Sequence, residues 1–180
     1  MHDAIQISKI NDFIFSPKSI FYHALYENFT ELMYHEKPQI NGKHAHKTID
    51  SQTYSSSKRY LQGLPVYSEK YNLVGKIDIY DTETKTLIER KRKVKNIYDG
   101  YKYQLYAQYF GMIERGLEVD SLMIHSLVDN KRYPIQLPDA KEIKTFELVL
   151  KSIREYDMSK TKEEISKEKL DNCIYRVFYA

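Results

Sequence analysis

The chain has a single cysteine, Cys173, which excludes an internal disulfide framework and any metal site built from cysteine alone. No apolar run approaches the ~20 residues of a membrane span, and no basic-then-apolar leader opens the sequence. A soluble, cytoplasmic protein without membrane contact is the expectation. Strong charge of one sign is also missing. Lysine and arginine number 28 against 25 acids, a net charge of +3, which permits a polyanionic partner without requiring one, so the placement of cations matters more than their sum. Tryptophan is absent, whereas tyrosine occurs 17 times. A tyrosine ring with its hydroxyl suits half-buried packing, its ordinary role, and also stacking on nucleobases. A length of 180 residues, 42% hydrophobic and 29% charged, is enough for one domain with a sizeable core.

Local signals divide the chain into helices, then strands, one long helix, more strands and helices again. Ile5-Gln6-Ile7 reads as strand or loop, and Ser8 as the N-cap of a short helix through Phe15. Ser16-Pro17 starts a second helix, with proline at its first position, carrying Ile20, Phe21 and Leu25 to about Glu27. Asn41-Gly42 breaks the chain. A helix restarts at Lys43 and carries His44 and His46, and the polar stretch 51–58 weakens it or forms a loop. Strands are expected at Pro65-Val66-Tyr67, over 71–80 and over 86–91, with a polar turn at 81–85. The best helix covers about 98–115, with Tyr101, Leu105, Gln108 and Met112 at helical spacing and Gly116 at its C-terminal end. Strands at 121–126 and 132–136 flank an Asp129-Asn130 turn, and Pro134 suits the second of them to a sheet edge. A helix over about 140–156, a charged stretch at 159–169 and an aromatic end at 175–179 complete the order. The class is α/β, a mixed sheet with helices on its faces.

Two strand ends carry the chemistry. Gly75-Lys76-Ile77-Asp78 ends one strand in an acid, and Ile88-Glu89-Arg90-Lys91 ends the next in an acid-x-lysine triplet. Side chains alternate along a strand, so Glu89 and Lys91 share a side. If the two strands pair, Asp78 comes close to Glu89. Phosphodiester hydrolysis needs charge neutralised on the phosphate and a water made nucleophilic near neutral pH, which a divalent cation supplies. Magnesium or manganese takes oxygen ligands, and one or two carboxylates suffice for magnesium. Asp78 and Glu89 meet that minimum, and His46 as an added ligand would tilt the preference toward manganese. Lys91 could orient the water or stabilise developing negative charge. Gln104 and Gln108, four apart, lie on one helix face and could position the lysine, the water or DNA. Each piece has an ordinary meaning when alone: a solvated strand edge for the triplet, a surface or core histidine, the polar flank of a helix, a solvated basic loop. Their order is what raises the odds.

That order resembles the PD-(D/E)xK nucleases of the RecB type and, more narrowly, the CRISPR-associated RecB-like exonuclease that accompanies the spacer-integration machinery. Gly42-x-x-x-His46 is similar to the family's histidine motif, Gly75 to Asp78 to its acidic motif, and Ile88 to Lys91 to its acid-x-lysine motif. Gln104-Leu105-Tyr106-Ala107-Gln108 is similar to the start of its glutamine motif, where the family often has tyrosine at the position of Gln108. The resemblance implies a restriction-endonuclease-like core over about 61–137, with N-terminal (1–60) and C-terminal (138–180) helical parts packed together in one domain. It implies catalytic Asp78, Glu89, Lys91 and Gln104, with Mn2+ or Mg2+ held by His46, Asp78, Glu89 and the Arg90 backbone carbonyl. Most of the family holds an iron–sulfur cluster on four cysteines. The matching positions here are Ser16, Leu170, Cys173 and Tyr179, and one thiolate cannot hold such a cluster, so none is expected. Burial of Leu170, Tyr175, Phe178 and Tyr179 could tie the C-terminal segment down instead. The pattern suits the short version found beside type V CRISPR effectors.

Three functions follow in order. The first is a metal-dependent DNA exonuclease trimming single-stranded ends before insertion into a CRISPR array, with the Cas integrase proteins as partners. Arg90, Arg92, Lys93 and Lys95 would follow the DNA backbone, with Tyr98, Tyr101 and Gln108 as further DNA contacts. The second is a non-catalytic subunit holding a DNA end within the integration complex. The third is a tyrosine-rich interaction domain whose acids are surface decoration.

Overall fold

The structure, a computed structural model, describes residues 3–26, 49, 51 and 55–160. In chain order the elements are β1 (Ile5–Gln6), α1 (Ile7–Phe15), α2 (Lys18–Tyr26), β2 (Tyr60–Gln62), β3 (Pro65–Ser68), β4 (Leu73–Lys76) and β5 (Ile79–Asp81). Then follow β6 (Thr86–Lys91), α3 (Asp99–Glu114), β7 (Ser121–Ser126), β8 (Lys131–Ile135) and α4 (Ala140–Glu155). The α/β class holds, but the strands form two mixed sheets where one was expected. One sheet has the order β1-β4-β3, with β1 parallel to β4. The other has the order β2-β5-β6-β7-β8 and is antiparallel except for β6 and β7. A parallel pair needs a long crossover, and α3 supplies it.

The expected single strand over 71–80 is broken in two. Asn72 adopts a left-handed φ of 43° in the turn before β4, and β4 ends at Lys76. Ile77 N–H then donates to the Leu64 carbonyl at 3.0 Å, and the Asp78 carbonyl accepts from Gly63 N–H at 3.1 Å. These bonds turn the chain out of one sheet and into the other, so β4 and β5 belong to different sheets. β2 was not expected. Its three half-buried residues are too short to show an alternation.

Other boundaries lie within a residue or two of expectation. α1 begins at Ile7 after Gln6, which makes no side-chain capping bond, so Ser8 is inside the helix rather than its cap. Pro17 sits just before α2 instead of at its first position. α4 is capped by Asp139, whose carboxylate accepts from Glu142 N–H at 2.8 Å. α3 ends at Glu114, followed by Gly116 at φ 79°, the left-handed conformation that glycine adopts after a helix C-terminus. Pro134 lies in edge strand β8.

β6 is buried along most of its length, as befits a strand covered on both faces. α3 is buried widely, through Tyr103, Leu105, Tyr106, Ala107, Phe110 and Met112, because α1 packs along it and the β3–β4 hairpin meets it as well. α4 contributes Phe146 and Leu150. The Phe146 ring lies 5.4 Å from Tyr71, 5.4 Å from Phe110 and 6.1 Å from Tyr103. The end of α4 also meets α1, with Phe13 and Tyr156 edge to face at 5.6 Å. Among the described residues no helix is long and apolar enough to cross a membrane.

Candidate active site

β6 delivers Glu89 and Lys91 to one side, as alternation requires. Glu89 is only 1% exposed, and its Oε1 lies 2.9 Å from Lys91 Nζ. From α3, which spans the β6–β7 crossover, Gln104 and Gln108 reach the same carboxylate from successive turns. Gln104 Nε2 donates to Glu89 Oε1 at 2.8 Å, and its Oε1 accepts from Lys91 Nζ at 2.8 Å. Gln108 Nε2 donates to Glu89 Oε2 at 2.7 Å and to the Lys76 carbonyl at 3.2 Å. Both amide orientations are thereby fixed, since a flipped amide would set oxygen against oxygen. Three side chains converge on Glu89 as donors, the arrangement that suits a carboxylate.

Asp78 arrives from the sheet-to-sheet turn. The antiparallel register Ile79↔Ile88, carried back one step, sets Asp78 across from Glu89. Its Oδ2 accepts from Arg90 N–H at 2.7 Å, so the acid is tied to the strand that carries its neighbour. Burial pushes the Glu89 pKa up, the nearby Asp78 charge adds to this, and Lys91 opposes both. For Lys91, burial disfavours the ammonium, but the Glu89 and Asp78 charges outweigh it and hold the pKa above the ordinary lysine value. Among the described residues, two acids thus crowd at one point with the Lys91 ammonium beside them.

The donor set fits a hard divalent cation. It offers carboxylate oxygens only, within the one or two carboxylates that magnesium sites use. Among the described residues no group of three or more histidine, cysteine, aspartate or glutamate side chains gathers into a metal site, and the carboxylates they bring to this point are those of Asp78 and Glu89. His46 lies outside the described residues, as do the helix expected from Lys43 and the positions Leu170, Cys173, Tyr175, Phe178 and Tyr179. Ser16 is described, fully buried between α1 and α2.

Of the residues expected to contact DNA, Arg92, Lys93, Lys95 and Tyr98 are exposed. Two others are buried. Arg90, on the opposite side of β6 from Glu89 and Lys91, is only 7% exposed, because that strand is covered on both faces. Gln108 is 1% exposed and holds Glu89 from inside. Tyr101 is half-buried, and its ring faces Lys91 Nζ at 4.9 Å.

No known family model matches the chain, and no curated protein does. Among solved structures, the chain is similar to one titled "Crystal structure of SSO0001", with a TM-score of 0.63 and 15% identity. The match covers 98% of this chain and 86% of that one, a likeness of fold.

Sequence reasoning missed three supports of the site. Ile7 packs on Gly75, where a Cβ would lie 2.9 Å from the isoleucine Cβ; a glycine inside a strand was the available signal. Asn11 accepts from the Tyr98 hydroxyl at 2.5 Å. Ser126 on β7 accepts from Val94 N–H at 3.0 Å, fixing the root of the basic run. The last two pairings span long stretches of sequence and leave no local signature.

Proposed function

We propose that the protein is a metal-dependent deoxyribonuclease of the PD-(D/E)xK, RecB-like type, trimming single-stranded DNA ends for spacer acquisition beside the Cas integrase proteins. The observation that carries this reading is the convergence of Asp78, Glu89, Lys91 and Gln104 from a turn, a strand and a helix onto one buried point. A surface decoration of acids needs no such convergence. Asp78 and Glu89 would hold the cation, which when bound neutralises the scissile phosphate and lowers the pKa of water.

The protein's own groups do the rest. Gln104 bridges Glu89 and Lys91 and so keeps carboxylate and ammonium in register. Lys91, anchored on both, presents a positive charge where negative charge develops on the phosphate. Gln108 cross-links Glu89 to the backbone of β4 and stops the carboxylate from turning. Arg92, Lys93 and Lys95 extend from the same strand end as an exposed cationic track for the DNA backbone.

The test uses end-labelled single-stranded DNA with manganese or magnesium, comparing the native protein with Asp78→Ala and Glu89→Ala. Metal-dependent shortening of the label, lost in both variants, is expected. Undiminished cleavage by both variants refutes the site. DNA binding without cleavage, in the presence of the integrase partners as well, replaces the nuclease by the non-catalytic end-binding subunit.

A further inference from the structure

We infer that Tyr101 is a positioning residue that fixes the Lys91 ammonium, and that Asn11, Tyr98 and Gly100 hold Tyr101 in place. Its consequence for cleavage rests on the nuclease reading above.

Lysine is a compact charge on a flexible four-carbon stem, and the Lys91 side chain is 16% exposed, so a route toward water is open to it. Glu89 Oε1 and Gln104 Oε1 hold Nζ on its polar side. On another flank stands the Tyr101 ring, its centroid 4.9 Å from Nζ, inside the range in which a ring face attracts a cation. The ring thus bounds the ammonium on that flank.

Tyr101 is itself braced. Its ring packs on Tyr98 with centroids 4.2 Å apart, and the Tyr98 hydroxyl donates to Asn11 Oδ1 on α1 at 2.5 Å. The sequence departs from helix preference twice here. Tyr98 occupies the N-cap of α3 without a side-chain capping bond, at a position that favours serine, threonine, aspartate or asparagine. Gly100 sits in the first turn, where alanine would favour the helix. A Cβ at Gly100 would lie 2.5 Å from a Tyr98 ring carbon and 2.7 Å from Asn11 Oδ1, so both departures serve the Tyr98–Asn11 bond. A line of contacts thus runs from α1 through two tyrosines to the ammonium.

The experiment compares native protein with Tyr101→Phe, Tyr101→Leu and Gly100→Ala by two readouts. One is the lysine ammonium NMR spectrum without DNA, with the Lys91 signal assigned by its loss in Lys91→Arg. The other is kcat and KM for end-labelled single-stranded DNA with manganese. A Lys91 signal displaced upfield by the ring is expected in native protein and Tyr101→Phe. It moves toward the solvent-exposed lysines in Tyr101→Leu and shifts in Gly100→Ala. Tyr101→Leu lowers kcat by about 3- to 30-fold with KM nearly unchanged, and Tyr101→Phe restores most of it. A raised KM with kcat and the Lys91 signal intact would assign Tyr101 to base stacking and overturn the proposal. If native protein does not cleave, with the integrase partners present as well, the nuclease reading fails on its own, and the ammonium signal still decides. An undisplaced signal in native protein, or one unaltered by Tyr101→Leu, overturns the positioning role.

Discussion

Removing Lys91 alone destabilises the protein far more than removing Lys91 and Glu89 together. In Lys91→Met, Glu89 remains 1% exposed with Asp78 beside it, and the one cation bonded to it among the described residues is gone. Breaking a buried ion pair from one side costs about 3–5 kcal/mol. For a chain of 180 residues each kcal/mol corresponds to about 2–4 °C in Tm, so a fall of roughly 6–20 °C is expected. In Glu89→Leu with Lys91→Met, both charges leave the interior and the desolvation cost of each leaves with them. What remains is the loss of an acceptor for Gln104, which is half-buried and can turn to water, and for Gln108. The latter keeps its bond to the Lys76 carbonyl, and an unsatisfied buried donor costs about 1–3 kcal/mol. The double variant should therefore lie within about 1–3 kcal/mol of native, with a coupling of about 2 kcal/mol or more between the two sites. Urea unfolding at neutral pH measures this, provided the m-values agree. Additive losses in the double variant would refute the reasoning, because they would mean that Glu89 and Lys91 do not depend on each other for burial. Both variants should be inactive, which separates what the pair does for function from what it does for stability.

Two further outcomes follow from single contacts. Gly75→Ala places a Cβ 2.9 Å from Ile7 Cβ and Cδ1; overpacking of this kind costs about 1–3 kcal/mol, read as a lower Tm, and the penalty should shrink in an Ile7→Ala background. Asp81 holds Arg59 through bonds of 2.6 and 2.5 Å, and the arginine bond draws its pKa down to about 2 against some opposition from burial. A carboxylate with a depressed folded-state pKa contributes stability that is full above its unfolded value of about 4 and is lost as pH falls toward the folded one. Thermal melts should therefore show native protein losing more stability between about pH 4 and 2 than Asp81→Asn, and parallel curves would count against the pair.

The site was legible in the sequence where local rules govern it. The alternation of β6 set Glu89 beside Lys91, and the four-residue spacing of Gln104 and Gln108 set both on one face of α3. The same alternation set Arg90 on the opposite side, where cover on both faces of β6 buries it, a fact hidden by the run of cations around it. Gln108 resembled the polar flank of a helix. It is buried because Glu89, itself buried, needs a donor at Oε2, and no local pattern announces such a need. The break between β4 and β5 was illegible for a similar reason. Gly63 and Leu64, remote from any pattern within 71–80, supply the backbone bonds that turn the chain at Ile77 and Asp78. The Tyr98–Asn11 bond joins helices 87 residues apart, and only the fold brings them together.

The most direct measurement is a manganese titration followed by electron paramagnetic resonance, with native protein, Asp78→Ala and Glu89→Ala compared at equal concentration. If the two carboxylates hold the cation, native protein removes the free-ion signal in a saturable way and both variants fail to. Equal depletion of the signal by all three proteins, or none by the native one, contradicts a cation site at Asp78 and Glu89.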